Sequence, residues 1–143
     1  MTVPARISIV TLGVSDLARS TKFYEALGWE KSASSSEAIS FFRTAGGVLA
    51  LYPFDLLAED AKLPAARASG FGGITLAINV EHPEDVQPSL DAAAKAGAKI
   101  LKPAMNADWG GVSGYFADPD GYPWEIAWNP HSLIKPDGSL DVR

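Results

Sequence analysis

Few side chains in this 143-residue sequence could do chemistry, and the best placed is Glu125. It stands in "FADPDGYPWEIAW", residues 116 to 128, where one carboxylate interrupts an apolar and aromatic run that starts right after a Pro-Asp-Gly turn. A carboxylate so placed can bind a cationic or hydrogen-bond-donating ligand, or act as a general base once desolvation raises its pKa. It can equally sit in an open, wet position with no task, and the residue types leave both readings open. Buried alone it would be costly, so water, a ligand or a nearby phenol such as Tyr115 should satisfy it. Asp118 and Asp120 read instead as turn formers, because Asp side chains bond the backbone two residues on. His82, before Pro83 at a helix start, and His131, after Pro130, read as solvated or capping residues. With no cysteine in the sequence, disulfides and thiolate metal sites are excluded.

Composition narrows the partners. A chain with 47% hydrophobic and 20% charged residues is an ordinary globular one with a packed core. The formal charge of -5, with Lys and Arg scattered singly, provides no basic stripe for nucleic acid and disfavours an acidic membrane surface. "GFGG" at 70 to 73 lacks both the Walker lysine and the spacing of a dinucleotide-binding fingerprint. "MTVPARISIV" has no apolar run suited to a signal peptide, and no run of about 18 apolar residues occurs, so a cytoplasmic location is expected.

The elements that must position Glu125 come in two similar sets. "RISIVTLGV" (6–14) predicts a strand, and "SDLARSTKFYEALGW" a helix capped by Ser15 or Asp16 and ended by Gly28. Three short strands should follow, at 29–33, 38–43 and 48–52, separated by "SSS" and "AGG" breakers. After a linker at 54–72 that mixes a short helical stretch with Pro and Gly, the pattern restarts: a strand at 74–80, a helix over "HPEDVQPSLDAAAKAGA", then strands at 99–103, 113–117 and 123–128. The chain thus spells β-α-β-β-β twice, with modules at 1–53 and 73–130 and a tail at 131–143 read as an extended arm or a partly disordered end. The expected class is α+β: two βαβββ modules forming a curved mixed sheet around a cup-shaped cavity, with the helices outside.

The doubled order, with "VTLGVSDLARSTKFYEALGW" (10–29) and "WGGVSGYFADPDGYPWEIAWNP" (109–130), resembles the vicinal oxygen chelate superfamily. That superfamily includes glyoxalase I, extradiol dioxygenases, fosfomycin-inactivating enzymes and bleomycin-binding resistance proteins. The resemblance implies a divalent metal held at four positions, which fall here at Ile9, Ala50, Thr75 and Glu125. A register error of two at Thr75 would give Gly73 or Ala77. A lone carboxylate is too few donors for a divalent ion, so no metal ligands and no cofactor are expected; a metal bound through Glu125 is the alternative.

Strand parity supplies the rest of the pocket. If Glu125 faces the cup, then Trp124, Ile126 and Trp128 face the helices. The lining then comprises Ile9, Thr11, Ala50, Tyr52, Thr75, Ala77, Ser113, Tyr115 and Glu125, with Phe41 or Phe42 also inward; the resemblance implies that the loop of Trp109 borders the pocket mouth. Small, mildly polar walls with two phenols suit a small organic ligand. The reading is a glyoxalase/bleomycin-resistance-like binding protein, leaning away from catalysis. The alternative is a lyase, isomerase or dioxygenase that uses Glu125. Resembling proteins commonly form two-fold dimers, so a homodimer is expected.

Overall fold

The structure is a computed structural model that describes residues 1–67 and 69–142. Strand β1 (Ile9–Val14) leads into helix α1 (Leu17–Ala26), followed by β2 (Ser40–Thr44), β3 (Gly47–Pro53) and a short helix α2 (Phe54–Asp60). Next come β4 (Leu76–Asn79), a 3-10 turn at Pro83–Asp85, α3 (Val86–Ala96), β5 (Lys99–Asn106), β6 (Val112–Ala117) and β7 (Pro123–Trp128). A hairpin of β8 (Ser132–Ile134) and β9 (Leu140–Val142) closes the chain.

The predicted α+β class holds. One mixed sheet runs β1-β3-β2, the other β4-β7-β6-β5. In each, the strand before the helix lies parallel to the last strand of its set (β1 with β3, β4 with β7), and the remaining pairs are antiparallel. The internal repeat read from the sequence is therefore a repeat of topology.

Three segments differ from expectation. Residues 29–33 form no strand and keep only a bridge from Lys31 to Phe42. Serine hydroxyls take the backbone donors a ladder would have used: Ser32 from Ser34, Ser36 from Ala38, and Ser35 from Phe41. The helical stretch expected in the linker is α2. β5 runs to Asn106 rather than stopping at Pro103, with two slips in its register against β6. The tail folds into a hairpin because Asp137 accepts from both the backbone and the hydroxyl of Ser139 (2.9 and 2.6 Å), closing its turn.

α1 starts where Asp16 accepts from the backbone of Arg19 at 3.0 Å. Its buried stripe, Ser20, Phe23 and Tyr24, faces aromatic residues of both sheets. Tyr24 packs on Phe42 from β2 and on Trp124 from β7, and Phe23 meets Phe116 of β6. Val86 and Leu90 of α3 join the same core. The two sheets thus share one core on their helix side.

Polar bonds fix that joint. Asp118 makes the turn bonds the sequence predicts, accepting through Oδ1 from the backbone of Asp120 and Tyr122 at 3.0 and 2.9 Å. Its Oδ2 accepts from the Tyr24 hydroxyl at 2.7 Å, and the Trp124 indole donates to that hydroxyl at 3.0 Å. Asp120 accepts from the backbone and hydroxyl of Ser15 and from the hydroxyl of Ser20. Tyr122 donates to the Gly13 carbonyl at 2.7 Å. Burial pushes both the Tyr24 phenol and the Asp118 carboxyl above their ordinary values.

Tyr24→Phe should therefore lower the unfolding free energy by about 1–3 kcal/mol, because it strands a buried acceptor and a buried donor. Urea denaturation measures this; a variant as stable as the wild type would show the joint to be dispensable.

Candidate functional site

Sheet register decides which side chains share a face. Trp124, Ile126, Phe116, Phe42, Leu49 and Leu51 are buried in the helix-side core, so their strand neighbours point the other way. Trp128 packs against that core as well, so all three residues predicted to face the helices do so. Phe42 is fully buried, which leaves Phe41 on the opposite face and resolves the choice that parity left open.

The predicted lining residues fall into two groups. On the first sheet, Thr11 pairs with Ala50 and Ala50 with Phe41; Ile9 and Tyr52 lie on the same face one step to either side. Phe54 of α2 lies over Gly13 at the far end of this face. On the second sheet, Ala77 pairs with Glu125 and Glu125 with Tyr115, while Ser113 sits one step along, opposite Ala127. Thr75 lies just before β4 and comes within hydrogen-bonding reach of Tyr115. Among the described residues no ladder joins the two sheets.

Glu125 and Tyr115 form the polar centre of the second group. The Tyr115 phenol is held above its ordinary value by burial first, then by the Glu125 carboxylate beside it, a hydrogen-bond acceptor for the phenol. The Thr75 hydroxyl works the other way. A carboxylate beside a phenol, with a second hydroxyl near that phenol, can orient a guest that donates hydrogen bonds.

Trp109, in the loop between β5 and β6, is 47% exposed, and its ring rests directly on Gly111, where a Cβ would collide with it. His82 and His131 are both exposed. No group of three or more His, Asp or Glu side chains among the described residues could hold a metal ion. No helix among the described residues is long and apolar enough to cross a membrane.

Sequence reading overlooked Lys102. The register places it opposite Tyr115, extending the row to Ala77, Glu125, Tyr115 and Lys102. Simple alternation from Ile100, which packs on the core, would put Lys102 on the helix side; the slip between them reverses this. Nothing in the local sequence marks that slip.

Two hollows lie elsewhere. A groove of about 660 Å³ separates α1 from residues 31–37, and a hollow of about 250 Å³ lies between the terminal hairpin and the ends of β4 and β7. Neither is lined by Glu125 or Tyr115.

The family model for the Glyoxalase/Bleomycin resistance protein/Dioxygenase superfamily matches residues 6–126. Among solved structures, a glyoxalase-related enzyme from Fulvimarina pelagi is 38% identical, with a TM-score of 0.87 over 96% of this chain and 98% of its own. A glyoxalase/bleomycin resistance protein/dioxygenase from Nocardioides is 25% identical, with a TM-score of 0.73 over 90% and 85%. A family enzyme from Burkholderia phytofirmans PsJN, 20% identical, shares the fold at a TM-score of 0.78 over 87% and 98%. No curated protein gives a significant match.

Removing the carboxylate's charge should bring the phenol down: Glu125→Gln is expected to shift the Tyr115 titration toward the ordinary value of 10.0. NMR of tyrosine-labelled protein across alkaline pH reads this directly. An unchanged Tyr115 midpoint would mean that the two groups do not interact.

Proposed function

This chain belongs to the Glyoxalase/Bleomycin resistance protein/Dioxygenase superfamily, and from that premise we propose that it binds a small organic molecule on the helix-free sheet faces around Glu125, without a metal chelate. The observation that carries this reading is the row in which Glu125 lies between Tyr115 and Ala77, with the Thr75 hydroxyl near the phenol. It offers one acceptor and two hydroxyls on a mostly small-sided wall, the composition of a site that selects by shape and hydrogen bonding.

The four positions where the resemblance implies metal ligands hold Ile9, Ala50, Thr75 and Glu125. Two aliphatic side chains, a neutral hydroxyl and one carboxylate do not fit a divalent ion, which needs several strong donors converging to compete with water. Pairing the sheets across two chains brings together the same four residue types, so assembly does not repair the donor set.

A two-fold dimer belongs to this proposal. Ile9 and Met105, on the sheet faces turned away from α1 and α3, are 52% and 51% exposed, and apolar side chains left open on such faces favour a covering partner. A second copy would supply the wall that one chain leaves open. Its assembly is read by sedimentation velocity, which should give a single species of twice the chain mass at micromolar concentration; a monomer there would remove this part of the proposal.

One observation favours a catalytic second reading: the Fulvimarina pelagi relative is described as a glyoxalase-related enzyme. In that reading Glu125 is a base for a lyase or isomerase step. Calorimetric titration of small aromatic metabolites separates the two. For a binding protein, Glu125→Gln should weaken the best guest by about ten-fold, or about 1.4 kcal/mol. For a Glu125-dependent enzyme, turnover should vanish while affinity stays within about two-fold.

A further inference from the structure

The row that carries Glu125 ends on a cation. β5 pairs with β6 in register from Lys99 to Ile100, slips, places Lys102 opposite Tyr115, and slips again before Met105 meets Ser113. Ile100 packs against the core opposite Phe116, so an unbroken strand would set Leu101 beside Tyr115 and turn Lys102 toward the helices. The first slip instead brings the lysine onto the helix-free face. A β-bulge interrupts the ladder and re-aims the side chain that follows it, and here that side chain is the lysine in line with Tyr115 and Glu125.

The lysine is exposed, and the ion pair among the described residues, Arg67 with Asp120, does not involve it. Glu125 lies two strands away, about 10 Å between backbones at the usual strand spacing. The face thus presents a positive end, a phenol and a negative end in one line. An apolar guest covering this line would strip water from both charges and pair neither, at a cost of several kcal/mol. A guest with an anionic group at one end and a hydrogen-bond donor at the other satisfies both.

We infer that Lys102 is the anion-recognising residue of this face, so that the guest is a small organic acid whose carboxylate meets Lys102 and whose hydroxyl or amino group meets Glu125. This narrows the proposed function and rests on it. Lys102 thereby sets specificity: it selects the ionised acid over neutral molecules of the same shape.

The test uses two probes, 4-hydroxyphenylacetate and its neutral amide, titrated calorimetrically into the full-length protein at low salt. Wild type should bind the acid at least ten-fold more tightly than the amide. Lys102→Gln should erase that preference while leaving amide affinity within two-fold, and Lys102→Arg should keep it. The lysine is exposed, so both variants should melt with the wild type. If wild type binds acid and amide equally, or the preference survives Lys102→Gln, the assignment of Lys102 falls alone. If neither probe binds wild type, it falls together with the reading of this face as an organic-ligand site.

Discussion

One carboxylate, Asp118, does more to define this molecule than any other side chain. It is 4% exposed, and it holds the turn between β6 and β7 through two backbone bonds while gripping Tyr24 of α1 through its other oxygen. Trp124 is tied to the same hydroxyl. Because adjacent residues of a strand point to opposite faces, pinning Trp124 to the helix side aims Glu125 at the open side. The direction of the Glu125 carboxylate thus follows from a hydrogen bond made by its neighbour.

That knot also explains where the two sets of strands touch. They are joined on the helix side, through Tyr24, Phe23, Phe116 and Trp124, with Asp120 holding the start of α1 at Ser15 and Ser20. The opposite faces carry the small and hydroxyl-bearing residues. A dry aromatic joint tolerates few polar groups, and those present are fully bonded: no buried side-chain polar atom among the described residues lacks a partner. The open face of the second sheet carries Glu125 and Tyr115 side by side.

Much of the fold was legible. The helix at Leu17–Ala26 announced itself through its spacing and its Asp16 cap, and β7 was read to the residue, because an apolar run after Pro-Asp-Gly has few alternatives. The failures share one cause. At 32–36 the serine side chains compete for backbone donors, at 132–142 the strands are three residues long, and at 101–104 the ladder slips without any change in composition. Periodicity cannot register events decided by single hydrogen bonds. The candidate site was legible to the same extent: parity placed Ile9, Thr11, Ala50, Tyr52, Ala77, Ser113, Tyr115 and Glu125 on the faces turned away from α1 and α3, but missed Lys102 because parity breaks at a bulge.

By itself the sequence determined the α+β class, the doubled strand-helix order, the residue types at the four ligand positions and the lone acid on the last strand of the second sheet. These follow from local pattern and composition, which do not depend on how distant segments meet. Only the tertiary structure decided that the turn carboxylates clamp α1, that Phe42 rather than Phe41 enters the core, and that Lys102 joins Tyr115 and Glu125. Each of these depends on a contact between segments far apart in the chain or on register between strands, where one residue of slip turns a side chain from one face to the other.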